Sequence, residues 1–355
     1  MTLPSPPSRS FSSDNAAGAH PAVLEAVNRA NVGHAVAYGD DEWTRACEAQ
    51  FRELFGADTH TLLTFGGTGA NVLGLATMLR PAEAVVCSRW AHIAVDETGA
   101  PERILGAKII ELPSDDAKLR PDQLDAVAHL LGVEHHAQPG VLSITQSTEL
   151  GTVYTADEVG ALCDRAHRYG MRVHMDGARI ANAVAALGGT VATLRACTVG
   201  AGVDVLTFGG TKNGMLGGDA VVYLNPDLAR SARYVRKQVT QLASKMRFVA
   251  AQFSALIDGD LWIALAAHAN AMTRALYALT SDVAGVVHAQ PPDVNSLFPR
   301  LPVAAIEPLQ QWCFFWPWDV ATHQVRWMTA WDTTAADVAA FAEGVRQVVG
   351  TGPSR

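Results

Sequence analysis

Lysine is scarce in this chain, with five among 355 residues, and charge of either sign is thin: Asp, Glu, Lys and Arg together make up 17%. No run of Lys or Arg is present, and the formal net charge is −8. Together these disfavour a nucleic-acid partner. Cysteine is sparse too. Cys47, Cys87, Cys163, Cys197 and Cys313 are odd in number and lack CxxC spacing. A zinc site or disulfide frame is therefore not expected, and the thiols read as reduced core residues of a cytoplasmic protein. No stretch approaches eighteen uninterrupted apolar residues, and no charged lead precedes an apolar run at the amino end, so no membrane span is expected. A small charged fraction also fits a chain whose surface is partly covered by other subunits.

Hydrophobic residues, at 49%, suffice for one large domain with an accessory region, or for two domains. Short β-rich runs alternate with helical patterns, which predicts an α/β fold with a mostly parallel sheet clad by helices. The expected strands are 61–65, 84–88, 107–112, 140–145, 171–175, 203–208 and 219–224. The last follows its predecessor too closely for a helical crossover, which favours an antiparallel placement. Helices are expected over 121–131, over 155–169 with Thr155 and Glu158 in capping-box spacing, and over 261–280. Residues 1–12, rich in Pro and Ser, read as a flexible arm. A large domain over 13–280, a small C-terminal α+β domain over 281–349 and a frayed tail over 350–355 complete the division. In HQVRWMTAW, a strand would turn Arg326 away from Val325 and Trp327.

Three strand ends carry chemistry. The first, TLLTFGGTGAN, runs into Gly66-Gly67-Thr68-Gly69 ahead of a helical pattern, leaving N–H groups and a hydroxyl for an anion. The second, MRVHMDGAR, puts Asp176 at a strand's C-terminal end, where open sheets place ligands, with Arg179 three residues on. The third, LTFGGTKNGMLGGD, surrounds Lys212 with glycines that admit close backbone and ligand approach. Desolvation there would lower the amine's proton affinity, as imine formation requires. An anion cradle, a carboxylate and an amine fit pyridoxal 5'-phosphate, which offers a phosphate, a ring nitrogen and an aldehyde.

The ordered set SSDNAAG, YGDD, GGTGAN, AHIAVDETGAPE, HMDGARIANA, TFGGTKNG and KQVTQLASKMRFVAAQ resembles the L-threonine aldolase family, over roughly residues 11–345. These are low-specificity L-threonine and phenylserine aldolases of the aspartate-aminotransferase-like fold, expected here as a seven-stranded sheet plus the small C-terminal domain. The resemblance implies cleavage of L-threonine, L-allo-threonine or L-phenylserine to glycine and an aldehyde. It implies that Lys212 joins the cofactor's aldehyde and Asp176 pairs with its ring nitrogen. Gly67, Thr68 and Asn71 would form the phosphate cradle, with Arg179 beside the cofactor. His92 would stack on the ring and share in proton transfer, and His136, or His135 by a register shift, would lie near the β-hydroxyl. Arg326 and Ser13 would hold the substrate carboxylate. A homotetramer is implied, with Lys237 and Tyr38 completing a neighbour's site. Gln146-Ser147 and Ser12 depart from the family's usual Glu-Asn pair and arginine. Other reactions of the same cofactor, β-elimination or transamination, and an inactive scaffold stay open as alternatives.

Overall fold

The computed structural model describes residues 3–350. Seven strands, β1 (His60–Thr64), β2 (Glu83–Ser88), β3 (Lys108–Leu112), β4 (Gln138–Thr145), β5 (Arg172–Gly177), β6 (Val205–Gly209) and β7 (Asp219–Tyr223), form one sheet in the order β1-β7-β6-β5-β4-β2-β3. Neighbours from β6 through β3 run parallel. β7 is antiparallel to both β6 and β1, as the short link from Gly209 to Asp219 requires.

Alternating side chains feed two cores. On β2, Val86 joins the cluster containing Leu142, Ile144 and Phe208, while Val85 and Cys87 join the one containing Leu73, Val141 and Tyr223. Strands covered on both faces read as nearly continuous apolar runs, which is why β4 to β6 were legible. Phe208 meets Phe51, Phe253 and Trp262 edge-on at centroid distances of 5.6, 6.3 and 5.5 Å, which pins the strand leading to Lys212. The stretch Arg247–Thr280 is long and apolar enough to cross a membrane, and its Phe253, Leu256, Trp262 and Leu265 are buried in the core beside the sheet. The expected capping box forms at Ala156–Arg168, with Thr155 and Glu158 each accepting from the other's backbone N–H.

A three-stranded sheet, β8 (Ser296–Leu297), β10 (Gln324–Met328) and β9 (Trp316–Asp319) in that order, packs with the helix Ala335–Gly350 over its own core. Val325 and Trp327 are fully buried there, which turns Arg326 to the other face.

The described part of the amino-terminal arm, residues 3–12, corrects the expectation of a flexible segment. Phe11 is fully buried and stacks on Phe341 at 4.2 Å. The Phe11 carbonyl accepts from Met328 N–H, the Pro4 carbonyl accepts from Trp312 Nε1, and Ser8 donates to Asp337. One aromatic side chain and three anchoring points outweigh a composition dominated by Pro and Ser. Phe11→Ala should cost about 3 kcal/mol of unfolding free energy by chemical denaturation. An unchanged midpoint would return the arm to a loose segment. Of the expected tail, only Gly350 lies within the described residues.

Candidate active site

The loops after β1, β2, β4, β5 and β6 all leave the same edge of the sheet, so five distant sequence segments converge there. Asp176, 4% exposed near the end of β5, accepts from Ala178 N–H at 3.0 Å and from Asn71 Nδ2 at 2.8 Å. Burial pushes its carboxyl upward. His92 and Lys212 outweigh that and hold it below the usual carboxylate range. A buried ionised acid at a strand end, close enough to Lys212 to feel its charge, is what a protonated ring nitrogen would pair with.

Lys212 sits in the short turn Thr211–Asn213. Burial, then the Arg179 guanidinium, pulls its amine below the usual lysine range, against Asp14, Asp176 and Asp219. The glycines beside it have a steric reason. A Cβ on Gly209 would lie 2.3 Å from the Ala178 carbonyl oxygen, so only glycine lets β6 close against the turn that follows Asp176. Gly67 is different. A Cβ there would meet no atom within 4 Å, and Gly66 caps the helix Gly67–Met78 without a side chain. Among the described residues the space beside Gly67 is open, the Gln241 side chain packs beside Gly69, and N–H groups at such a helix start suit a phosphate. The residues present therefore fit pyridoxal 5'-phosphate at its phosphate, its ring nitrogen and its aldehyde.

A cavity of about 500 Å³ is lined by Lys212, His92, Glu149, Arg179, Arg326 and Ser13, with Trp90, Trp316 and Trp318 on its wall. Arg179 is locked to Asp14 by two bonds, Nε to Oδ2 at 2.7 Å and Nη2 to Oδ1 at 2.9 Å. Asp14 is thereby held ionised despite its burial. Arg326 is freer: Nη2 donates to the Ser12 carbonyl at 3.2 Å, its plane lies over Trp318 at 5.4 Å, and Nε is buried without a partner. An arginine with unused donors in a cavity suits a carboxylate ligand. His92 Nδ1 meets Glu97 Oε1 at 3.0 Å, and that bond raises the imidazole's pKa.

The comparisons with known proteins agree with this geometry. The profile of the beta-eliminating lyase family matches residues 10–302. The low specificity L-threonine aldolases of Pseudomonas sp. (strain NCIMB 10558) and Pseudomonas aeruginosa are each 41% identical, covering 96% of this chain and 98% of the relative. The solved structure of a Leishmania major threonine aldolase superposes with a TM-score of 0.89 at 31% identity, covering 96% of this chain and 99% of that one. The chain belongs to the threonine aldolase family.

Not every expected residue of this threonine aldolase family member lies where the sequence put it. His136 and the alternative His135 are exposed in the loop before β4. They stand at the opposite end of an eight-residue strand from Glu149, about 25 Å away. His136 therefore takes no part in its own chain's cavity. Asn71 is not a cradle residue. Its Nδ2 donates to Asp176 and Glu97 and its Oδ1 accepts from Thr207, which leaves no donor for a phosphate. Lys237 and Tyr38 stack on each other at 4.9 Å on the exposed surface and do not line this cavity. Gln146 is buried, with its amide exchanging bonds with the Tyr154 backbone.

The carboxylate missing at 146 is present three residues on. Glu149 Oε1 accepts from His92 N–H and Thr145 Oγ1, both at 2.8 Å, and Oε2 is buried without a partner. Burial raises its pKa to about 7. Sequence reasoning missed Glu149, Glu97 and Asp14. For Glu149 the signal was an acid close after a predicted strand, and for Asp14 and Glu97 it was their place inside the motifs SSDNAAG and AHIAVDETGAPE.

Proposed function

We propose that this chain cleaves L-β-hydroxy-α-amino acids to glycine and an aldehyde with pyridoxal 5'-phosphate. The observation that carries this reading is one cavity lined by an amine of lowered pKa, Lys212, a guanidinium with an unpaired Nε, Arg326, and two proton-carrying groups, His92 and Glu149. Lys212, Asp176 and the helix start at Gly67-Thr68 would hold the cofactor, which when bound supplies the electron sink for breaking Cα–Cβ. Arg326 and Ser13 bind the substrate carboxylate. His92 or Glu149 takes the β-hydroxyl proton as the aldehyde departs, and a proton returned to Cα completes glycine. Glu97 positions His92 through Nδ1, leaving Nε2 toward the reaction.

Trp90, Trp316, Trp318 and Val95 beside these groups favour substrates with an aryl group on the β-carbon, such as phenylserine. Lys237 and Tyr38, exposed and away from their own cavity, support a homo-oligomer in which they serve a second copy. The test is product analysis with L-threonine and L-phenylserine on cofactor-loaded protein. Glycine plus aldehyde is expected; ammonia plus a keto acid would mean β-elimination, and a keto acid without ammonia, its amino group passed to a keto-acid acceptor, would mean transamination.

Arg326→Ala should raise KM about 30-fold, roughly 2 kcal/mol of lost charge-assisted bonding, with cofactor affinity unchanged. Parallel loss of cofactor and substrate binding, measured by cofactor titration and steady-state kinetics, would remove the arginine from the substrate carboxylate.

A further inference from the structure

A second cavity, of about 480 Å³, lies between the helix Glu42–Phe55, the start of β1, the end of β7 and residues 226–236, at the opposite end of β7 from the turn that holds Lys212. In a chain of net negative charge, its lining includes Arg45, Arg52, Arg230, Arg233 and Arg236, with Asp40 and Glu48 as the only acids.

The partners inside the cavity do not balance. Arg230 pairs with Asp227 at 2.6 Å, Arg233 reaches Asp40 at 3.3 Å, and Arg45 donates to the Asp40 carbonyl at 2.9 Å. Among the described residues Arg236 makes no ion pair within 4 Å, and Glu48 is the acid whose charge acts on it most strongly. Arg236 is 5% exposed, it donates to the Leu63 carbonyl at a long 3.4 Å, and its Nε is buried unpaired. A buried guanidinium N–H left open in this way is costly unless something accepts from it. The size suits a small molecule, and the planar fork suits an oxyanion.

We infer that this cavity is a second anion site, which takes a small oxyanion of two charges, a phosphate group or a short dicarboxylate, with Arg236 inside and Arg45 and Arg52 at its exposed edge. The site has a route to the catalytic end. Gln241 N–H donates to the Arg236 carbonyl at 2.9 Å, and Gln241 Oε1 accepts from Phe65 N–H at 3.1 Å, just before the helix start at Gly67. An occupant of the cavity therefore steadies the segment that borders the cofactor's phosphate. The inference stands apart from the choice of substrate.

The experiment uses cofactor-loaded enzyme, so that the helix start is already filled, at constant ionic strength set with sodium chloride. Isothermal titration with inorganic phosphate and with succinate should give saturable binding of one anion per chain for at least one of them, and the arm that binds names the source. Arg236→Met should weaken it tenfold or more. Should that variant fail to fold, Arg52→Gln, at an exposed position, should weaken it about threefold. Phosphate should also slow cofactor loss on dilution at least twofold in the parent protein and leave Arg236→Met unaffected. Absence of saturable binding, equal affinity in the folded variants, or cofactor loss that speeds up with phosphate in both proteins would overturn the site.

Discussion

Replacing Lys212 with alanine should lower aldol-cleavage turnover by roughly 10⁴-fold or more, because the substitution removes the covalent anchor and not a single contact. Two further readouts separate this from general damage. Borohydride reduction and peptide mass spectrometry should place the cofactor's mass on the peptide containing residue 212 in the parent protein and on none in the variant. Cofactor mass on another of the five lysines would sink the assignment. Stability of the cofactor-free protein should move the opposite way to activity. Burial and Arg179 hold the Lys212 pKa below its ordinary value, so the unfolded chain binds that proton more readily than the native one. The parent protein therefore carries a penalty at neutral pH that fades as pH climbs through the lysine range. The alanine variant lacks it and should melt higher at pH 7, with the gap closing toward pH 10.5.

What the sequence reveals here follows from how local each signal is. Asp176 and Lys212 were legible because each ends a buried apolar strand, and strand ends of one sheet edge converge whatever lies between them. Arg326 was legible from alternation against Val325 and Trp327. The antiparallel course of β7 followed from link length alone. His136 lies away from its own chain's cavity for a related reason. A histidine in a loop beside a strand can serve either end of the sheet, and only strand direction decides which. Partners far apart in sequence were out of reach: Asp14 meets Arg179 across 165 positions, and Phe11 meets Phe341 across the length of the chain. Glu149 was hidden because the resemblance drew attention to position 146. The bond from Thr145 is local, but the bond from His92 N–H, which completes the placing of Glu149, exists only once β2 and β4 are side by side.

Glu149→Gln is the substitution that tests the reading of the site most sharply. Both hydrogen bonds to the carboxyl group fall on Oε1, so a proton on the group resides on Oε2, the oxygen left without a partner. With a pKa raised by burial to about 7, the group can give up and take back that proton at working pH. Glutamine keeps the shape and can still accept at its carbonyl oxygen, but it cannot exchange the proton. Turnover should fall by about 10³-fold with KM for the amino acid little changed, and any limb of the pH–rate profile near pH 7 should disappear. The stability prediction has the opposite sign. The unfolded glutamate ionises near its ordinary value of 4.5 while the native one holds its proton to about 7, so parent stability falls as pH rises between those values. The cofactor-free variant should match the parent near pH 4.5 and exceed it by on the order of 1–3 kcal/mol above pH 7. A variant that loses turnover and stability together would make Glu149 a structural acid. One that gains stability with turnover intact would leave His92 to move the proton alone.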